Sequence, residues 1–141
     1  MKIYARAYCL GPESDPEAVK RELSAANPGA VVQTVKESAA SNEFFVEMLS
    51  AQTLRAESTG GLLAKRPEID LLLRIAGTNQ ISRAIREKGA KGGEPFLVMT
   101  AGRSAQNLPR GFAGKELMRR ELNRAELSRI EKAALLGTRR A

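Results

Sequence analysis

Residues 67–85 read PEIDLLLRIAGTNQISRAI, and the spacing of their apolar positions organises the rest of the chain. Pro67 suits a first helical turn, where its missing N–H is no loss, and Glu68 follows where the positive helix end favours an acid. Ile69, Leu72, Leu73 and Ala76 recur at intervals of three and four and form one apolar stripe. Leu71 and Ile75 form a second stripe beside it. Asp70 and Arg74, four apart, share the remaining face and can pair. Gly77 ends this helix, and Thr78 caps the next, which turns Ile81, Ala84 and Ile85 inward and Arg83 and Arg86 outward as far as Gly89. A helix apolar on two sides is either buried on both or keeps one strip exposed. Two stripes exceed what one small sheet covers. The narrower pair, Leu71 and Ile75, is then the surplus and a candidate docking strip, with core packing as the alternative.

Working outward, Pro95–Thr100 (PFLVMT) reads as a strand, followed by a polar, glycine-containing loop, RSAQNLPRGFAG. From Lys115 onward the pattern is helical. Met118, Leu122, Leu127, Ile130 and Ala134 lie inside two helices or one bent one, Arg119, Arg120, Arg124, Arg129 and Lys132 lie outside, and 137–141 form a frayed tail. Toward the N-terminus, Lys2–Leu10 alternates as a strand and Ala30–Val35 is a β-branched second strand. Between them, Ser14-Asp15-Pro16-Glu17 starts a helix that buries Val19 and Leu23. Ser41-Asn42 caps a longer helix carrying Phe44, Phe45, Met48, Leu49 and Leu54. It breaks at Ser58-Thr59-Gly60-Gly61, which lacks the Gly-Lys-Ser/Thr of a phosphate loop and reads as a turn. The order is strand, helix, strand, helices, strand, helices. That defines a single mixed α/β (α+β) domain over 1–141, a small sheet covered by several helices.

The 141 residues contain no histidine and one cysteine, Cys9. A Ser–His or Cys–His pair, a His/Cys zinc site and an intrachain disulfide are therefore excluded. Cys9 reads as a small buried hydrophobe. No apolar run reaches the roughly 20 residues of a membrane span, and the N-terminus reads as a strand rather than a secretory signal, so the expectation is a cytoplasmic protein with no membrane partner. The net charge of +7 is unevenly placed. Residues 1–102 carry 13 basic and 12 acidic side chains, whereas residues 103–141 carry 10 and 4, so six of the seven excess charges lie in the last quarter. Such local excess points to a polyanionic partner, or to a solubilising surface.

The segment Glu68–Ile85, followed by Gly89-Ala90 and the strand Phe96–Met99, resembles the signature of the Cgi-type kinase-binding family of the KEOPS complex. The order of elements extends the resemblance over the whole chain, although residues 101–141 match only in that order. The resemblance implies a regulatory, non-catalytic subunit, not an enzyme, with no cofactor and no metal. Its partners would be the complex's Rio-like kinase and the 3′ end of tRNA. The threonylcarbamoyl chemistry on an adenosine beside the anticodon belongs to another subunit. A free-standing basic RNA-binding module and a small glutamate-dependent enzyme are the competing classes.

Where the motif matches, roles follow. Arg74, Thr78, Asn79 and Gln80 surround Gly77 at the helix junction, and the free amides of the second helix suit an RNA phosphate. The local alternative is that Thr78 caps, Gly77 terminates and Arg74 pairs with Asp70. Arg83 and Arg86, which form a basic rim with Lys91, and Arg119 and Arg120 of the basic quarter are the further RNA-binding candidates. Leu71 and Ile75 are the kinase-binding candidates. Phe112, beside Arg110, is the exposed aromatic on which a base would stack.

Overall fold

Three apolar segments of the chain become three long strands, and a fourth, two-residue strand joins them at one edge. The structure, a computed structural model, describes residues 2–139. Strands β1 (Tyr4–Leu10), β2 (Val31–Lys36), β3 (Phe96–Gly102) and β4 (Lys115–Glu116) form one antiparallel sheet in the order β2-β3-β1-β4. Because β1 and β2 both run antiparallel to β3, they run the same way and leave a gap that β3 fills. The register pairs Tyr4 with Gly102 and Leu10 with Phe96 on one side of β3, and Val31 with Ala101 on the other. Central in the sheet, β3 is buried at all seven positions, which its unbroken apolar run requires.

Among the described residues five helices accompany the sheet: α1 (Pro16–Ala26), α2 (Glu43–Thr59) and α3 (Pro67–Ala76) pack on it, α4 (Ile81–Lys88) rests on α3, and α5 (Arg124–Leu135) rests on α2 and α3. Strand alternation sorts side chains to two faces. Ala5, Ala7, Val31, Val35, Leu97, Met99 and Ala101 meet α2, α3, α5 and Ala84 of α4. Tyr8, Leu10, Val32, Phe96 and Val98 meet Leu23 and Val19 of α1. The result is a mixed α/β fold with α1 on one side and the other helices on the opposite side.

The helix starts follow the local signals. The Asp15 carboxylate accepts from Ala18 N at 3.2 Å with Pro16 at the first position, and Asn42 accepts from Phe44 N at 3.1 Å. Gly77 closes α3 with φ 70°, a left-handed conformation that glycine adopts without steric cost.

The C-terminal region departs from the expected helix. Residues 117–123 are irregular, and helix begins only at Arg124, where Asn123 and Glu126 form a reciprocal capping box. The preceding stretch is extended because it is tied to the body by backbone bonds. Leu117 N donates to Ala7 O at 2.8 Å, and Met118 O accepts from Glu43 N at 2.7 Å. Gly137–Arg139 forms a 3-10 turn after buried Leu136, and residues 140–141 of the expected tail lie outside the described residues. Cys9 is half-buried rather than core, and its thiol donates to Glu37 Oε2 at 3.2 Å. Burial, and then the Glu37 carboxylate, push that thiol up.

Candidate functional site

Helix α3 is buried on both sides. Leu71 and Ile75 are 0% and 1% exposed, in the same cluster as Leu72 and Leu73, so they are core and do not form a docking strip. The second stripe is covered because α3 lies against α2, α4, α5 and β2 at once. Burying each of these side chains stabilises the fold by about 1.5–3 kcal/mol.

Arg74 is also internal. Its Nε and Nη2 bind Asp70 at 2.7 and 3.1 Å, and its Nη1 donates to Ala133 O at 3.2 Å and Gln52 Oε1 at 3.3 Å. Fully buried Asp70 accepts in addition from Thr53 Oγ1 at 2.6 Å and Leu63 N at 2.9 Å. Every edge of the guanidinium faces protein, so Arg74 is no RNA contact. It ties α2, α3 and α5 together. Thr78 is buried, and its hydroxyl accepts from Gln80 N at 3.2 Å, which shapes the α3–α4 turn; it is not the expected cap, because the N-cap position of α4 is Gln80. Asn79 Nδ2 donates to Leu136 O at 3.4 Å. Asn79 and Gln80 are exposed at the start of α4.

On α4 the expected inward face is wrong for two residues out of three. Ala84 is fully buried, but Ile81 and Ile85 are 45% and 52% exposed. Only eight residues long and resting on α3, this helix needs just its alanine to make contact. The isoleucines, one turn apart, form an outward apolar strip. Arg83 beside them pairs with Glu87 at 2.9 Å, and Arg86 is exposed.

The basic C-terminal quarter is less available than its charge suggests. Arg119 binds Glu47 at 2.8 Å and lies 4.8 Å from the Phe44 ring. Arg120 binds Glu126 at 2.7 Å. Arg129 lies 4.3 Å from the Phe45 ring and donates to Ala39 O and Ile75 O at 2.9 and 3.2 Å. Burial lowers the Arg129 pKa from its usual value. For Glu126, burial raises the carboxyl, but Arg120, the Asn123 N–H and the Asn42 amide outweigh it and leave it below the usual range. Phe112 is not an exposed stacking platform. Its ring meets Tyr8 edge-on at 5.1 Å in the α1-side core.

The motif therefore divides. Leu71, Arg74, Ile75 and Thr78 hold the helices together, whereas Asn79, Gln80, Ile81, Arg83, Ile85 and Arg86 reach the surface of α4. Sequence reasoning missed the exposure of Ile81 and Ile85. A signal was present in the brevity of α4, where Ala84 alone supplies the mid-helix contact. No family model matches this chain, and no curated protein matches it either.

Proposed function

We propose that the chain is a non-catalytic subunit of a KEOPS-type tRNA-modification complex, one that docks the complex's Rio-like kinase and helps present tRNA in the cytoplasm. The reading rests on the resemblance of Glu68–Ile85 to the kinase-binding family. The observation that carries it is the apolar strip of Ile81 and Ile85, set within that motif. Two large aliphatic side chains, one turn apart and half-exposed, are what a helix presents to a partner's apolar groove. The Arg83–Glu87 pair and Arg86 supply the polar rim that such an interface has. The proposed kinase contact is thus on α4 and not on the buried Leu71–Ile75 stripe.

The test is co-purification with the Rio-like kinase. The Ile81→Glu/Ile85→Glu variant is expected to melt within about 1 °C of the parent chain, because surface changes cost little, and to lose the kinase. Kinase binding that survives in the folded variant overturns the α4 contact. Light scattering that shows a dimer broken by the same variant assigns the strip to self-association instead. A parent chain that fails to bind the kinase removes the whole reading.

A further inference from the structure

Strand β2 ends at Lys36, and an isolated bridge from Val35 to Gly89 brings that end against the last turn of α4. Glycine is required at this exit from α4, since a Cβ at position 89 would meet the helix's own Ile85 O at 2.5 Å. The junction encloses a cleft of about 190 Å³ lined by Lys36, Arg86, Gly89, Lys91, Glu94 and Pro95. Its three cations come from a strand end, Lys36, and from a distant helix and the loop that follows it, Arg86 and Lys91. All three are exposed, and among the described residues none has a carboxylate within 4.0 Å. The contrast with Arg74, Arg83, Arg119 and Arg120 is sharp, since each of those has its acid. Lys88 registers the crowding too: burial first, then the Arg129 and Lys36 cations, lower its ammonium pKa.

We propose that this cleft is a phosphate-binding site, in which the Arg86 fork and the Lys36 and Lys91 ammonium groups hold one phosphate group. Concave clusters of a single charge concentrate counter-ions. Arginine matches the planar edge of a phosphate, and lysines add point charges around it. Glu94 lines the same cleft and reduces its balance from three positive charges to two. Two positive charges suit a phosphate monoester, which carries about −1.5 to −2 at neutral pH, or adjacent diesters of an RNA strand. A carboxylate ligand would leave the cleft with excess positive charge. The RNA source rests on the tRNA-presenting reading above; the binding of a phosphate group does not.

The full chain is titrated with inorganic phosphate and, separately, with a single-stranded oligoribonucleotide, following the amide signals of Gly89 and Lys91. Saturable shifts are expected there. The Arg86→Ala/Lys91→Ala variant should lose about tenfold or more in affinity and about two in the slope of log affinity against log salt. Glu94→Gln should bind tighter, an outcome that a merely structural glutamate would not produce. Phosphate that saturates without an effect of RNA identifies a single-phosphate ligand, whereas competition between the two identifies the strand. Unsaturable shifts with both probes, or unchanged affinity in the double variant, overturn the site. A silent cleft in a chain that still captures the kinase would leave the proposed function standing. A saturable cleft in a chain that captures no kinase would do the reverse.

Discussion

At the residue scale, Arg74 shows how a side chain chosen for its charge can act entirely inside the protein. It and Asp70 are 6% and 0% exposed, and their mutual contacts are completed by a hydroxyl, an amide N–H and a carbonyl. Removing one member of such a pair leaves the other charged and buried, which costs about 3–5 kcal/mol. Arg74→Ala is therefore expected to lower the denaturant midpoint strongly. Any loss of RNA binding should track the fraction unfolded; RNA affinity lost in a fully folded variant would contradict the internal role. Ile75→Glu should likewise unfold the domain, because a carboxylate at a fully packed position has no partner. A folded Ile75→Glu protein by circular dichroism would reopen α3 as a surface.

At the element scale, α5 depends on its first turn. Glu126 closes the capping box with Asn123, binds Arg120 and accepts from the Asn42 amide at 3.4 Å, which joins the starts of α2 and α5. Its folded pKa is depressed below the usual glutamate value of about 4.5. A depressed carboxyl contributes stability that is fully present above the unfolded value and is lost as pH falls through the folded one. The chain should then be more stable than Glu126→Gln at neutral pH by about 1.5–3 kcal/mol, the range for charge-assisted hydrogen bonds. That difference should shrink as melts are taken at successively lower pH below about 4.5. A gap independent of pH would mean that the charge on Glu126 does not matter. Helix α4 is the opposite case. It starts at Gln80 without a side-chain cap, is short, and is held mainly through Ala84, which leaves its isoleucines exposed.

At the scale of the whole molecule, net charge and usable charge separate. Most of the excess lies beyond residue 102, yet Arg119, Arg120 and Arg129 are engaged with Glu47, Glu126, aromatic rings and backbone carbonyls. The 115–123 stretch is fastened to β1 and the start of α2 by backbone bonds, to which Arg119 adds its pair with Glu47 of α2 and Arg120 its pair with Glu126 of α5. Changing Arg119 and Arg120 to Glu is expected to lower the melting temperature by about 3 °C or more, with a smaller effect on RNA affinity per folded molecule than Arg86→Ala/Lys91→Ala. Equal losses of affinity at unchanged stability would return the RNA surface to the C-terminal quarter.

Much of the fold was legible because its signals are local. The Asp15-Pro16 and Asn42 helix starts, the Gly77 stop, the alternation in β1 and the apolar run of β3 all act over a few residues, where sterics and capping decide conformation. The Asp70–Arg74 pairing was legible for the same reason, since four residues is one helical turn. The site was legible only as a segment. Periodicity says which side chains share a face but not how many faces are covered, and coverage depends on packing between elements far apart in the chain. Sequence alone therefore determined that 67–85 is an apolar helix and an amphipathic one around a glycine stop. Tertiary structure alone decided that Leu71 and Ile75 face inward while Ile81 and Ile85 face out. The same division holds for charge. The sequence counts the cations, but only the fold brings acids to Arg119 and Arg120 and joins Lys36 to Arg86 and Lys91 through the Val35–Gly89 bridge.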